Sequence, residues 1–237
     1  MRTRADWLSV IEALEGIIPY YDRVNESISF GWAEWVRRCA VQQSGMKQGM
    51  SVLDVGVGPG NIPRLVLSHH RPGVVVGLDC SKRMLKTAQR ALRPSGEVVV
   101  QFVRGVSERL PFRDGSFSLR DALDVDTTIG ELRRVCRVGG LLTVVDIGKP
   151  DNGVFRALMA LYMSAVMPAI ARLQIIGKVS GNPWRLLIPT YEGLPTNNSL
   201  RNKIEKIFGK ALLKEFLHGA MVMVQAEKRG KPLSVKS

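Results

Sequence analysis

Three glycines, Gly56, Gly58 and Gly60, stand at alternate positions directly after a short apolar run. Glycine lets a backbone turn sharply and lets a ligand lie directly on it, where a Cβ would intrude. An acid, Asp54, lies two residues before the first glycine, and Pro59 lies inside the turn. The spacing is GxGxG, whereas a dinucleotide-binding fold prefers GxGxxG. We therefore predict a small-molecule cofactor site, with a nucleotide-binding dehydrogenase and a purely structural turn as the alternatives.

A second acid, Asp79, closes the next predicted strand 23 residues after Gly56. At that separation a carboxylate can accept hydrogen bonds from both hydroxyls of an adenosine ribose. Such bonds to a charged acceptor are stronger than neutral ones. Cys80 would then lie beside the adenine as a small apolar neighbour. The alternative is that Asp79 caps the helix that begins near Ser81.

These features resemble the cofactor motifs of class I methyltransferases, which bind S-adenosylmethionine. The resemblance implies that Asp54 faces the methionine portion of the cofactor across the turn. A third stretch, residues 105–112, resembles the adenine-contacting loop of small-molecule methyltransferases. In that loop the position of Val106 is usually Asp or Asn, which bonds the adenine amino group. A valine side chain cannot do so, and the contact is lost or comes from the backbone, such as the Ser107 N–H.

Residues 50–149 alternate short β-branched runs with helical stretches, a pattern typical of parallel βαβ units. We predict strands at 51–55, 74–79, 98–104 and 141–147, and helices at 62–69, 81–92 and 127–137. A loop at 177–198 and a short helix at 199–208 follow, and strands at 212–217 and 220–227 form a terminal hairpin. The predicted fold class is α/β: a doubly wound, mostly parallel Rossmann-like sheet with an antiparallel hairpin and a helical lid.

We expect a single domain over residues 1–237, which is near the upper end for one core. Its parts would be an N-terminal helical cap at 1–49, a cofactor-binding core at 50–150, an apolar lid at 151–198, and a helix, hairpin and basic tail at 199–237.

The predicted lid contains a long apolar stretch at 154–177, which carries Arg156 and Arg172 with Pro168 between them. A spanning helix needs about 20 nearly uninterrupted apolar residues. We therefore predict two short apolar helices that cover a site. Their Leu and Met side chains could line a tunnel for a lipophilic tail or rest on a bilayer, and plain core packing is the alternative.

The composition is that of a soluble globular protein, with 45% hydrophobic and 23% charged residues. The net charge of +13 predicts attraction to an anionic partner: nucleic acid, an anionic membrane surface or a phosphate-bearing ligand. A basic surface without a specific polyanion is the alternative. Three cysteines without CxxC spacing, and no charged-then-apolar leader, argue against a disulfide framework and favour the cytoplasm, including a peripheral position at the inner face of the membrane.

A narrower resemblance begins at Tyr21, where residues 21–31 read YDRVNESISFG. This segment resembles the signature YDxMNxxxSFG of the UbiE type of ubiquinone/menaquinone biosynthesis C-methyltransferases. The second signature of that family is similar to residues 134–140 and 146–150, and the similarity extends over about residues 20–228. The resemblance implies methyl transfer to a ring carbon of a reduced polyprenyl quinone, with a lipophilic small molecule as the acceptor.

The chain departs from the family pattern at several positions. Val24 replaces Met, Ala33 stands where His is frequent, and Asp146 and Gly148 replace Glu and Ser. The family also has several more residues between its Asp-Gly turn and its Ser-Phe-x-Leu-Arg segment, which here begins at Ser116 directly after the turn. We therefore predict a truncated fourth strand, from which the resemblance carries a cofactor contact onto Ser116.

The implied chemistry concerns the ring carbon of the acceptor. A sulfonium methyl is already activated, so no metal is expected, and the enzyme must align the reacting atoms and exclude water. The carbon becomes nucleophilic when a neighbouring hydroxyl loses its proton. Arg120 matches the arginine of the family segment and is a candidate to stabilise the phenolate, while Asp121 is a competing general base. A surface arginine and a helix N-cap are the alternatives for these two residues.

Two other functions remain open. An RNA-binding or RNA-methylating protein would explain the positive charge, although the aromatic residues concentrate before the core instead of interleaving with a basic stripe. A degenerate, non-catalytic member of the family would explain the missing strand residues and Val106.

Overall fold

A computed structural model describes residues 12–92, 98–115, 125–177 and 182–230. Residues 12–16 form a helical turn, and a 3-10 turn follows at Ile18–Tyr20. The helices are α1 (Tyr21–Ser29), α2 (Trp32–Gln42), α3 (Asn61–His69), α4 (Lys82–Ala91), α5 (Val125–Val135), α6 (Gly153–Leu161), α7 (Met167–Ile175), α8 (Leu187–Glu192) and α9 (Asn197–Phe208). The strands are β1 (Ser51–Val55), β2 (Val74–Asp79), β3 (Val99–Arg104), β4 (Leu141–Ile147), β5 (Ala211–Phe216) and β6 (Met221–Glu227).

The first sheet is parallel, with the strand order β1-β2-β3. Val52 pairs with Val75, and Val76 pairs with Gln101. β1 and β2 are buried along nearly their whole lengths, as the apolar runs of a sheet covered on both faces predict. Because the strands are parallel, their carboxyl ends meet at one edge of the sheet, where the predicted cofactor residues lie.

Helices cover both faces of this sheet. Val52 and Val75 belong to one apolar cluster with residues of α2 and α3. Leu53 and Val76 belong to another, with residues of α5 and α9. Since neighbouring residues of a strand point to opposite faces, the two clusters lie on opposite sides of the sheet. This is the layering expected of a doubly wound α/β fold.

The second sheet has the order β4-β6-β5, and both of its ladders are antiparallel. The predicted terminal hairpin is confirmed, with Phe216 paired with Met221. Its connection passes through Leu217, His218 and Gly219, all with positive φ. Three consecutive left-handed residues make a tight reversal that returns β6 between β5 and β4.

The prediction of one mostly parallel sheet needs correction. The described strands form two parallel and two antiparallel ladders in separate sheets, because β4 takes its partner from the hairpin. No ladder among the described residues joins β1 to β4. A cavity of about 90 Å³ lies between them, with Leu53 and Leu141 in its wall. The truncated strand predicted around Ser116 lies outside the described residues, which omit 116–124.

The lid also differs from its prediction, since it is one continuous helical segment instead of two short helices. α6 runs into a π-helical turn at Tyr162–Val166 and then directly into α7. This wider turn brings the chain past Pro168, which lies in the first turn of α7. The loop predicted at 177–198 contains a 3-10 turn at Pro183–Leu186 and α8, while residues 178–181 lie outside the described residues.

Candidate active site

The glycine-rich turn lies across the carboxyl ends of β1 and β2. The N–H groups of Gly56 and Val57 both donate to the Leu78 carbonyl of β2, at 2.8 and 3.0 Å. These two bonds hold the turn against the end of β2, beside Asp79. The chain then enters α3 at Asn61, as the sequence predicts.

Gly58 and Gly60 have different functions in this turn. Their φ angles are +52° and +93°, which L side chains rarely adopt. A Cβ on Gly58 would meet nothing within 4 Å, and Gly58 lines the main cavity. A Cβ on Gly60 would lie 3.0 Å from Leu92 Cδ1 and 3.2 Å from Ala88 Cβ. Gly60 therefore permits close packing against α4, whereas Gly58 leaves room for a ligand.

Asp79 is directed at the turn, as its predicted role requires. Its Oδ2 accepts the Gly58 N–H at 2.8 Å, and its Oδ1 accepts the Ser81 N–H at 2.8 Å. Each carboxylate oxygen keeps further acceptor capacity, and the residue lines the main cavity. The N-cap of α4 is Ser81, whose hydroxyl accepts the Met84 N–H at 3.0 Å. The residue that caps α4 is therefore Ser81 and not Asp79.

Cys80 lies next to this carboxylate and also lines the cavity. Burial, and then the negative charge of Asp79, raises the pKa of the Cys80 thiol to about 12. The thiol donates a weak hydrogen bond to Asp79 Oδ1, with an S···O distance of 3.7 Å. It stays neutral near pH 7 and is a weakly polar neighbour for a ligand instead of a nucleophile.

The main cavity has a volume of about 310 Å³, within the range of small-molecule sites. It is lined by six of the predicted cofactor residues: Gly56, Gly58, Asp79, Cys80, Val106 and Ser107. Asp54, Pro59 and Gly60 are not in its wall. Asp54 is 3% exposed and lines the smaller cavity between the sheets. The three other predicted site residues, Ser116, Arg120 and Asp121, lie outside the described residues.

The loop after β3 brings Val106 and Ser107 to the cavity. The Arg109 N–H donates to the Val106 carbonyl at 3.3 Å, which closes a short β-bridge. The Ser107 hydroxyl accepts from Thr128 of α5 at 3.3 Å and donates to Glu108 at 3.1 Å. The cavity wall on this side is thus attached to α5.

Arg134 of α5 holds the remainder of that loop. Its guanidinium donates to the Leu110 and Phe112 carbonyls at 2.9 and 2.7 Å. It also donates to Asp114 at 3.0 Å and to both carboxylate oxygens of Glu131 at 2.8 and 2.7 Å. The hydrogen bonds from Arg134 lower the pKa of Glu131. Arg134 opens the second family signature, and its contacts explain that position: it fixes the loop that carries Val106 and Ser107.

The N-terminal segment supplies cavity residues that sequence patterns did not reveal. Leu14 and Glu15 from the helical turn at 12–16, and Tyr21 of α1, lie in the wall. The Ser81 hydroxyl donates to Glu15 Oε1 at 2.5 Å and ties this segment to the first turn of α4. The signal for Tyr21 was its place in the N-terminal signature, whereas Leu14 and Glu15 precede every motif.

The N-terminal signature joins the glycine-rich turn to the lid through α1. Asn61 Nδ2, at the start of α3, donates to Asp22 Oδ1 at 2.8 Å. At the other side of α1, Asn25 Oδ1 accepts from the indole of Trp184 at 3.5 Å, and Trp184 is fully buried. The Asp and Asn of the signature therefore link α1 to the start of α3 and to the buried Trp184.

The part of the cavity near the lid is mostly apolar. It is formed by Ile147, Met163, Leu187, Tyr191 and Leu194. One carboxylate, Asp146 at the end of β4, lies beside these side chains, and its Oδ1 accepts the Ile147 N–H at 2.7 Å. The Tyr191 hydroxyl is buried without a hydrogen-bond partner among the described residues, and burial raises its pKa.

The described wall of the cavity is acidic, although the chain as a whole is basic. Glu15, Asp79, Glu108 and Asp146 line the cavity, and its described wall contains no Lys or Arg, although the chain carries +13. A negative wall attracts a cation and repels phosphate. S-adenosylmethionine carries a sulfonium and an ammonium, whereas a dinucleotide or an RNA strand brings phosphates. The wall therefore fits S-adenosylmethionine and argues against the dehydrogenase and RNA alternatives.

Sequence comparisons agree with this geometry. Residues 2–227 match the ubiE/COQ5 methyltransferase family. A demethylmenaquinone methyltransferase from Thermus thermophilus is 33% identical over 195 residues, which are 78% of this chain and 86% of that protein. A ubiquinone/menaquinone biosynthesis C-methyltransferase from Shewanella oneidensis is 34% identical over 163 residues, covering 65% of this chain and 64% of its own length. The match thus spans less than two thirds of the Shewanella protein.

Solved structures of methyltransferases share the fold. A SAM-dependent methyltransferase from Thermotoga maritima aligns with a TM-score of 0.57 at 17% identity, over 92% of this chain and 99% of that one. One from Methanosarcina mazei aligns with a TM-score of 0.53 at 18% identity, over 78% and 94% of the two chains. At such identities the likeness concerns the fold alone.

Proposed function

The chain belongs to the ubiE/COQ5 methyltransferase family and uses S-adenosylmethionine, and from that premise we propose that it methylates a ring carbon of a polyprenyl quinol or a related lipophilic small molecule. We place this reaction in quinone biosynthesis, with a menaquinone precursor as the first candidate acceptor. The names of the Thermus and Shewanella relatives support this choice.

One observation carries the proposal: the acidic and apolar parts belong to a single cavity. The wall at the ends of β1 and β2 contains Asp79 and Gly58, whereas the wall under the lid contains Met163 and Leu187. A polar cationic cofactor and a lipophilic acceptor can therefore lie side by side, as methyl transfer requires.

The residues that would hold the cofactor are Gly58 and Asp79. Gly58 offers a backbone surface without a Cβ, and the Asp79 carboxylate has acceptor capacity for two ribose hydroxyls. When bound, S-adenosylmethionine supplies a methyl group already activated by the positive charge of its sulfonium. Cys80 adds a neutral neighbour, and Glu15 adds a negative charge from the N-terminal segment.

The acceptor side needs a group that takes or stabilises the hydroxyl proton of the ring. Asp146 is a carboxylate of the cavity wall that directly precedes Ile147, a residue of the apolar lining, in β4. We assign it the role of hydrogen-bond acceptor for that hydroxyl. Arg120 and Asp121 remain predictions for the same step. The lid residues exclude water from the ring, so the ring carbon is the nucleophile that the methyl group meets.

The test is product formation with a defined acceptor. The protein is incubated with methyl-labelled S-adenosylmethionine and short-chain demethylmenaquinol, and the product is identified by mass spectrometry. We expect a labelled methyl on the quinol ring, and none with Asp79→Ala, which removes the ribose acceptor. Cofactor binding without product from either demethylmenaquinol or the ubiquinol precursor would overturn the proposal and favour the non-catalytic alternative.

A further inference from the structure

The lid presents a second apolar face, which points away from the cavity. Six large aliphatic side chains on or just after the lid helix are between 43% and 74% exposed: Val154, Leu158, Leu161, Val166, Leu173 and Ile176. We call this set the outer lid face. Exposed apolar residues scattered singly are ordinary, but a contiguous group on one helix marks an interaction site.

The inner side of the same segment is buried against the rest of the protein. Met163, Met167, Ala171 and Ile175 are almost fully buried in the cluster that joins the lid to the N-terminal helices. A helix that is apolar all round is stable in water only when both sides are covered. The outer lid face therefore calls for a partner outside the described residues.

Charge identifies the chemistry of that partner. Residues 153–191 contain no Asp or Glu, and the cations among their described residues are Arg156, Arg172 and Arg185. Aliphatic side chains flanked by cations match the boundary between the headgroups and the acyl chains of an anionic bilayer. A second copy of this chain would instead bring like charges together on an already basic protein of +13.

The same segment, Gly153–Ile175, is long and apolar enough to cross a membrane by length and composition, and only 22% of its most apolar window is buried inside the protein. Its contacts oppose insertion across the bilayer. The Tyr162 hydroxyl donates to the Ile28 carbonyl of α1, and Gln174 donates to Ser27 at 3.3 Å. Spanning would break these bonds and expose the buried side, whereas lying on the surface keeps them.

We propose that the outer lid face docks on an anionic lipid bilayer, with the lid helix parallel to the membrane plane. The docking concerns the outer side of the lid and does not depend on which acceptor occupies the cavity. Because the inner side of the same helix lines the cavity through Met163, docking would place the cavity one helix away from the lipid. A lipophilic molecule could then pass between them without crossing bulk water.

The experiment measures sedimentation of the purified full chain with vesicles, without any acceptor. Vesicles of phosphatidylglycerol and phosphatidylcholine are compared with vesicles of phosphatidylcholine alone. The test variant is Leu158→Gln/Leu161→Gln/Leu173→Gln. Its matched control is Leu212→Gln, since Leu212 is a leucine of β5, away from the lid, with similar exposure of 55%.

We expect wild type and Leu212→Gln to bind the anionic vesicles, and the triple variant to bind at least about tenfold more weakly. Circular dichroism and the thermal shift caused by S-adenosylmethionine should be unchanged in the triple variant, which shows that it folds. Equal binding by wild type and the triple variant, or no binding of wild type to anionic vesicles, would overturn the proposal. So would a dimer that becomes a monomer in the triple variant while vesicle binding stays the same, because the face would then be a contact between copies.

Discussion

Replacing Gly58 by alanine should separate cofactor binding from stability. The new Cβ meets nothing within 4 Å in the protein, so the cost to folding comes only from its φ of +52°. A left-handed L residue costs about 1 kcal/mol, which lowers the Tm of a chain of this size by about 3 °C. The same Cβ projects into the cavity at the surface on which the cofactor would lie. A steric clash with the cofactor that costs about 3 kcal/mol would weaken S-adenosylmethionine binding by about 100-fold.

Gly60→Ala is the matched control, two residues along the same turn. Its φ of +93° lies beyond the left-handed well, and its Cβ would press on Leu92 and Ala88 at 3.0 and 3.2 Å. Strain and crowding together cost about 3 kcal/mol, or about 9 °C in Tm. Because Gly60 is not in the cavity wall, the folded variant should keep its affinity.

Isothermal titration calorimetry with S-adenosylmethionine, together with thermal melts of the free proteins, compares the two variants. The expected pattern is crossed: Gly58→Ala loses little stability but binds about 100-fold more weakly, whereas Gly60→Ala keeps its affinity but loses about 9 °C in Tm. Wild-type affinity in Gly58→Ala would refute the placement of the cofactor on this turn. Loss of affinity in Gly60→Ala alone would show that the two glycines have been assigned the wrong way round.

Three further substitutions test packing, electrostatics and catalysis. Gly148→Ala should destabilise the protein by more than about 3 kcal/mol in a urea melt, because its Cβ would lie 2.1 Å from the Gly219 carbonyl oxygen; a loss under about 1 kcal/mol would contradict this packing. Arg134 lowers the pKa of Glu131, so the stabilisation by this acid is complete above its unfolded pKa of about 4.3 and disappears as the pH falls through the folded pKa. Urea melts should therefore show Glu131→Gln less stable than wild type at pH 7, with the difference shrinking as the pH falls below about 4.3, and a difference independent of pH would exclude this linkage. Asp146→Asn should lower kcat by about 100-fold in a methyl-transfer assay while S-adenosylmethionine binds normally, and an unchanged kcat would remove Asp146 from the reaction.

The parallel half of the fold could be predicted from local patterns. Apolar runs bounded by turn residues placed β1 and β2 at their observed ends and β3 within one residue. They also placed β4 at its observed ends, although it belongs to the antiparallel sheet. The glycine spacing also identified the edge of the sheet that carries the cavity, with Gly58 and Asp79 in its wall. Here the same residues determine the local conformation and the wall of the cavity.

The division into two sheets could not be predicted in this way. An apolar strand of this length can pair with a parallel or an antiparallel neighbour. The structure shows that β4 pairs with β6 in the antiparallel direction. Proline and glycine also misled the assignment of the region at 177–198. Pro183 begins a 3-10 turn, where the missing N–H costs nothing, so a residue that suggested a loop is part of a helical stretch.

The cavity residues that the sequence did not indicate depend on contacts made only in the folded chain. Glu15 reaches the cavity through a hydrogen bond with Ser81, 66 residues further along the chain, and no local pattern encodes such a contact. In the sequence, Asp146 stood out only as a departure from the family pattern. Its place in the cavity wall depends on the lid residues that pack beside the end of β4, and the sequence does not show that packing. Asp54 shows the opposite case: it stands in the motif, yet it lies outside the main cavity wall.

A crystal structure of the protein with S-adenosylhomocysteine would show directly where the cofactor binds. We expect both ribose hydroxyls within hydrogen-bond distance of the Asp79 carboxylate, the sugar against Gly58, and the sulfur directed toward the apolar wall under the lid. A ligand bound elsewhere, or a ribose that does not contact Asp79, would contradict this expectation.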